Sequence, residues 1–339
     1  YVSNGMKLGF FEIEGWEEAI IREAFPDQNM VVTEDKLTSL CLPDAKDLEV
    51  ISVFIDSRID KDVLACFPNL KCVATRSTGY DHIDIVAARE LGIPVLYVPG
   101  YGDNTVAEFA FGLILNLTRK IYQGIDQVKE TGSFALAGLR GTDLKGKTIG
   151  IIGTGRIGKE MIHIAKGFRM NVLAFDLHPD AAFAAEAGFG YCGLDELLMA
   201  SDIISIHCPS TKETHHLINK GNIGTVKRGA YLVNAARGPI VETEALMEAL
   251  HNGILAGAGL DVLEEEGEIK DELTTLSSGH PKEEELKTML ENHVLMKMPN
   301  VLITPHNAFN SQEALERILH TTLENIKSFI AGEPINMAQ

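Results

Sequence analysis

The sequence predicts an α/β protein made of two parallel-sheet domains with a cleft between them. Three observations carry that prediction. Strand-like and helix-like patterns alternate along the chain. At 339 residues it exceeds what one small hydrophobic core supports. A glycine-rich turn also lies midway, between a buried strand pattern and a helix pattern, where a second α/β unit would begin. The apolar share of 45% and charged share of 23% fit a globular chain and leave no room for extensive disorder or coiled coil.

In the first third, strand patterns fall at 6–12, 30–33, 50–55, 72–75 and 95–98, with helical patterns between them at 15–25 and 84–91. Pro99-Gly100 closes this five-strand unit, and residues 1–5 read as a remnant ahead of it. A helical period then runs over 104–129, through Val106, Phe109, Ala110, Leu113, Leu117, Ile121 and Ile125. One continuous helix of that length would span about 39 Å at 1.5 Å per residue, enough to cross between domains or to pack on a second subunit. The second unit has strand patterns at 147–152, 171–175, 202–207, 230–233, 256–260 and 301–303. A stretch over 264–298 reads as a charged insertion loop with a short helical piece at 282–290. The final helical pattern, 311–330, follows the last strand and is expected to return to the first domain.

A formal charge of −18 with no Lys/Arg cluster argues against a nucleic-acid partner. No apolar stretch is long enough for a membrane span. Cys41, Cys66, Cys72, Cys192 and Cys208 are odd in number and lack C-x-x-C spacing. They suit reduced thiols in a cytoplasmic protein, with neither a disulfide framework nor a metal site.

Gly153-Thr154-Gly155-Arg156-Ile157-Gly158 follows a buried strand and opens a helix. Gly153 allows a tight turn and Gly155 lets the backbone approach a pyrophosphate. Gly158 lets helix and strand pack closely, and the helix N-terminus attracts the anion. Asp176 ends the next strand, 18 positions after Gly158, where a carboxylate accepts from ribose hydroxyls and repels a 2′-phosphate. The pattern predicts a Rossmann-like domain that binds NAD in preference to NADP.

Arg237, Asp261 and Glu266, and His306 follow three successive strand patterns, and ligands in such sheets bind at the carboxyl ends of strands. A guanidinium can clamp a carboxylate and polarise a ketone. An imidazole can give or take the proton that accompanies hydride transfer, and a carboxylate can orient it. Spacing alone does not choose among Glu264, Glu265 and Glu266. His215-His216 read as surface residues with no further ligand set, and the acidic run as a solvated turn. His207-Cys208-Pro209 suggests a backbone contact to the cofactor ahead of thiol chemistry.

With these residues in hand, the chain resembles the D-isomer-specific 2-hydroxyacid dehydrogenase family from Met6 to about residue 335. Arg76-Ser77-Thr78-Gly79-Tyr80-Asp81-His82-Ile83-Asp84, Asn104-Thr105-Val106-Ala107-Glu108-Phe109, residues 233–242 and Gly259-Leu260-Asp261-Val262 carry the resemblance. It implies two Rossmann-like/flavodoxin-like domains: an NAD-binding domain at 104–303 and a discontinuous catalytic domain at 1–103 and 304–339. It implies catalytic roles for Arg237, Glu266 and His306, and a substrate carboxylate held by Ser77, Thr78 and Gly79, with Tyr101 nearby. Cofactor contacts are implied for Arg156, Ile157, Asp176, Cys208, Pro209, Thr214, Ala235, Ala236, Arg237 and Asp261, alongside the three glycines. No metal is implied.

Within the family, Pro99-Gly100-Tyr101 and Pro305-His306-Asn307-Ala308-Phe309 look most like the D-lactate dehydrogenase branch. The partner implied is a small 2-oxo or 2-hydroxy acid, and the long helix implies a homodimer. Other 2-hydroxy acids (2-hydroxyisocaproate, glycerate or phosphoglycerate type) and an NADH-sensing regulatory dimer on the same fold stand as alternatives.

Overall fold

Apolar residues fall on both faces of the strands in the first third, as strands covered by helices on two sides require. The computed structural model describes residues 5–266 and 283–338. The chain divides into two compact units, Tyr1–Tyr101 with Ser311–Gln339, and Gly102–Asn310. The sequence reading put the second boundary at 303/304. In the structure the chain stays with the second unit to Asn310, because the backbone after Pro305 is bonded to Asp261.

The first unit runs β1 (Lys7–Phe10), α1 (Gly15–Ala24), β2 (Asn29–Val32), β3 (Val50–Val53), α2 (Lys61–Ala65), β4 (Cys72–Thr75), α3 (Ile85–Glu90) and β5 (Val95–Leu96). The strands form one parallel sheet in the order β2-β1-β3-β4-β5, a doubly wound arrangement. Side chains alternate across it: Ile51, Val53 and Val73 pack on one face, and Val50, Cys72 and Ala74 on the other. The terminal helix α11 (Gln312–Ile330) covers the second face with Leu319, Leu323 and Ile326, and Ser311 caps its N-terminus through Ala314. Helix α2 has only five residues, too few for a helical period to show in sequence; Asp60 caps it through the Val63 N–H.

The second unit begins with α4 (Asp103–Arg119) and α5 (Ile121–Thr131). The single helix expected over 104–129 is therefore broken. Lys120 adopts a left-handed conformation (φ 55°), and the Thr118 carbonyl is taken at 2.8 Å by the Thr142 N–H from the returning chain. Continuing the helix would cost that bond. Helix α4 is packed within its own unit, whereas α5 buries no residue at all.

The unit continues with β6 (Thr148–Ile152), α6 (Arg156–Gly167), β7 (Asn171–Phe175), α7 (Ala181–Ala187), β8 (Gly190–Tyr191), α8 (Leu194–Ala200), β9 (Ile203–Ile206), β10 (Ala230–Asn234), α9 (Thr243–His251), β11 (Leu255–Leu260), α10 (Glu283–Lys297) and β12 (Val301–Ile303). All seven strands are parallel, in the order β12-β11-β10-β9-β6-β7-β8. The order reverses at β6, so the crevice at the carboxyl ends of β6 and β9 is the topological switch point where such sheets bind ligands. Part of the insertion expected over 264–298 lies outside the described residues; within them, helix α10 occupies its second half.

Candidate active site

Two of the three glycines of the 153–158 turn answer a steric demand, and the third leaves open space. Gly153 has φ 91°, and a Cβ there would stand 2.6 Å from the Cys208 nitrogen. A Cβ on Gly158 would stand 2.1 Å from the Gly153 carbonyl oxygen, so no other residue fits between turn and helix. Gly155 has no heavy atom within 4 Å of where its Cβ would be, which leaves the N-terminus of α6 open to an approaching phosphate group. These features fit a dinucleotide pyrophosphate.

Asp176 follows β7 beside this turn. Its carboxylate accepts from the Thr154 N–H at 2.6 Å, the Thr154 hydroxyl at 3.0 Å and the His178 N–H at 2.8 Å. Partial burial works against its ionisation, but these three donors outweigh it and hold the carboxyl below the usual range. It is a fixed negative charge beside the glycine turn. Arg156 is exposed and pairs with Asp103 at 2.9 Å; Ile157 packs on the core beneath the helix.

At the end of β9, burial pushes the Cys208 thiol up to about 11, too high for a nucleophile near neutrality. Thr214 is buried, and its hydroxyl is spent locally: it donates to the Pro209 carbonyl at 2.7 Å and accepts from the Thr211 N–H at 2.7 Å. Past β10, the buried Asn234 shapes the next loop. Its side chain accepts from the Ala236 N–H at 3.0 Å and donates to the Arg237 carbonyl at 2.9 Å, bracketing Ala235, Ala236 and Arg237. The half-buried Arg237 guanidinium donates to the Ala236 carbonyl at 2.8 Å. Gly238 is required here, since a Cβ would stand 2.0 Å from the Leu263 carbonyl oxygen.

Asp261 follows β11 and is 1% exposed. Its carboxylate accepts from the Asn307 and Ala308 N–H groups, each at 2.8 Å, and from the Thr304 hydroxyl, while its carbonyl accepts from the His306 N–H at 2.9 Å. Burial raises the pKa of this carboxyl against those donors. The bracket holds His306 at φ 52°, a backbone state that costs a non-glycine residue on the order of 1–3 kcal/mol and that tends to persist where function requires it.

His306 Nδ1 lies 2.6 Å from Glu266 Oε1, and the second Glu266 oxygen faces the Leu263 N–H at 3.3 Å. With Nδ1–H donated to the carboxylate, the imidazole tautomer and ring orientation are fixed. No hydrogen bond among the described residues uses Nε2, so the ring has one nitrogen for a ligand. Of the three glutamates, the pairing picks out Glu266.

Glu264 departs from the expected solvated turn: its side chain is only 13% exposed and bonds His216 at 2.6 Å and Thr243. Asn234 and Thr304, which set the backbone of Arg237 and His306, were not singled out by the sequence. A polar residue closing a buried strand is the signal that could have found Asn234.

In the first unit, the loop after β4 is fixed from within. Buried Arg76 donates to the Phe11 and Glu12 carbonyls, each at 2.7 Å. The Ser77 hydroxyl donates to the Gly79 carbonyl and the Thr78 hydroxyl to the Val98 carbonyl, both at 2.6 Å. Among the described residues no hydrogen bond uses the N–H groups of Ser77, Thr78 or Gly79. Three successive uncommitted N–H groups suit an anionic ligand. The Tyr101 carbonyl accepts from Arg317 at 2.7 Å.

Residues 111–308 match the family model described as "D-isomer specific 2-hydroxyacid dehydrogenase, NAD binding domain". A 2-hydroxyacid dehydrogenase homolog of Zymomonas mobilis is 40% identical over 90% of each chain, and the D-lactate dehydrogenase of Escherichia coli 36% identical over 88% of each. The crystal structure of Aquifex aeolicus D-lactate dehydrogenase, complexed with NAD and lactic acid, superposes with a TM-score of 0.83 at 35% identity over 96% of each chain. With the sheet order and the glycine turn, these matches establish that the chain belongs to the D-isomer-specific 2-hydroxyacid dehydrogenase family, whose members are NAD-dependent oxidoreductases.

Proposed function

We propose that the chain catalyses pyruvate + NADH + H⁺ ⇌ D-lactate + NAD⁺. The observation that carries this reading is the 2.6 Å pair of His306 and Glu266, with Nε2 uncommitted, beside Arg237 in sequence of strand ends on one sheet edge. Bound NADH supplies the hydride that reaches C2 of the 2-oxo acid. His306, with its ring held by Glu266, gives the proton to the forming hydroxyl through Nε2 and takes it back in the reverse direction. Arg237 pairs with the substrate carboxylate and polarises the ketone. The N–H groups of Ser77, Thr78 and Gly79 receive the carboxylate as well, with Tyr101 near it. Ala235, Ala236, Asp261, Cys208, Pro209 and Thr214 line the dinucleotide.

The choice of pyruvate follows the similarity to D-lactate dehydrogenases. The test is a comparison of kcat/KM for pyruvate, 4-methyl-2-oxopentanoate, hydroxypyruvate and phosphohydroxypyruvate with NADH. Pyruvate is expected to lead; a clear lead for any of the others would move the assignment to that acid.

Cofactor choice is checked by Asp176→Ser. Removing the carboxylate takes away both the ribose acceptor and the repulsion of a 2′-phosphate, so NADH efficiency should fall and NADPH efficiency rise, shifting their ratio by about tenfold or more. An unchanged ratio would show that Asp176 does not set it.

We further propose a homodimer through α5, the second part of the helical stretch over 104–129 from which the sequence reading expected one. Ile121, Tyr122, Ile125 and Val128 of α5 are exposed, and Phe134 and Leu136 in the following loop are 84% and 82% exposed. Gln127 ties that loop to the helix through the Ser133 and Ala135 carbonyls. Such a clustered apolar patch marks an interface. Light scattering should give a dimer mass for the wild type and a monomer mass for Ile125→Asp; a monomeric wild type would refute it. The unpaired cysteines suit a cytoplasmic setting.

A further inference from the structure

The adjacent pair His215-His216 lies in the turn between β9 and β10. Neighbouring side chains diverge in a strand or a helix. Here they do not: His216 is left-handed at φ 49°, and the two rings lie 4.0 Å apart at 33°. The backbone at this point is held from both sides. The His216 N–H donates to the Pro239 carbonyl at 2.8 Å, and its own carbonyl accepts from Asn219 at 2.8 Å.

Glu264, from the loop after β11, meets these rings. One oxygen lies 2.6 Å from His216 Nε2. The other accepts from the Thr243 N–H at 2.9 Å and its hydroxyl at 2.6 Å, which fixes the carboxylate's direction. One donor atom from each of His215, His216 and Glu264 falls within 4.8 Å of the other two.

We propose that His215, His216 and Glu264 form a binding site for one divalent transition-metal ion, best suited to Zn²⁺. Two imidazoles and a carboxylate are a donor set that zinc accepts, with the fourth position left to water. Bonds near 2.0–2.2 Å put the ligands of one tetrahedral ion about 3.3 Å from each other. Reaching that spacing requires the His216–Glu264 pair to open and the exposed His215 ring to reorient so that its nitrogen, and not its face, meets the ion. Thr243 supplies the outer hydrogen bonds that orient a ligating carboxylate.

An ion pair between His216 and Glu264 would need nothing from His215, so His215 is the residue that separates a metal site from a structural pair. The ion would join the turn after β9 to the segment 261–266, two residues before Glu266. The inference stands on this geometry alone and does not depend on the substrate.

The experiment is calorimetric titration of the full-length, untagged, chelator-treated protein with ZnCl₂, alongside His215→Ala and Glu264→Gln, with Zn K-edge absorption of the loaded wild type. Expected are one site per chain with imidazole scattering in the spectrum, and binding weakened at least about tenfold in each variant. Because His215 is exposed, His215→Ala should melt like the wild type without metal. Absence of binding by the wild type, or His215→Ala binding Zn²⁺ as tightly as the wild type, would overturn the proposal.

Discussion

Replacing His306 with alanine should lower kcat for 2-oxo acid reduction by about 10²–10⁴-fold, the usual contribution of a positioned general acid. NADH affinity, followed by fluorescence titration, should change by no more than about threefold, since proton transfer and cofactor binding use different groups. The physical basis is the single committed nitrogen. Glu266 holds Nδ1 at 2.6 Å, and Asp261 holds the backbone, so the ring presents Nε2 in one orientation. Glu266→Gln should give a smaller loss in kcat, because an amide can still orient the ring but carries no charge to stabilise an imidazolium. Equal kcat in His306→Ala and wild type would remove His306 from the chemistry.

Arg237→Gln should raise KM for pyruvate and lower kcat together, with kcat/KM down by roughly 10²–10³-fold, in keeping with loss of a charge-assisted bidentate contact of a few kcal/mol. Arg237→Lys should recover little of this, because an ammonium cannot present two parallel donors to a carboxylate. Steady-state kinetics over a range of pyruvate concentrations separates the two parameters. A change in kcat alone, with KM for pyruvate untouched, would speak against a role in holding the carboxylate.

Much of this was legible in the residues. β4, β7 and β12 are short β-rich segments between turn signals, and their bounds agree with the sequence patterns. The glycine turn was readable because a side chain at Gly153 or Gly158 would clash with backbone, while Gly155 leaves the helix N-terminus open. That Arg237 and His306 fall at one sheet edge was readable because parallel topology delivers whatever follows each strand to the same edge. The rest depended on tertiary partners. The break at Lys120 is caused by a hydrogen bond from Thr142, and a local helical period carries no trace of it. Likewise Glu264 differs from Glu265 and Glu266 only through Thr243 and His216, both distant in sequence. Asp261 shows the same limit: its three hydrogen-bond donors come from Thr304, Asn307 and Ala308.

The most direct measurement is the product itself. Wild-type protein should be incubated with NADH and pyruvate, and the lactate formed should be resolved on a chiral column while NADH is followed by absorbance. The expected result is one D-lactate formed per NADH oxidised, at enzyme-like turnover. NADH binding without oxidation by pyruvate or any other 2-oxo acid, as in a sensing dimer, would contradict it, and so would L-lactate as the product.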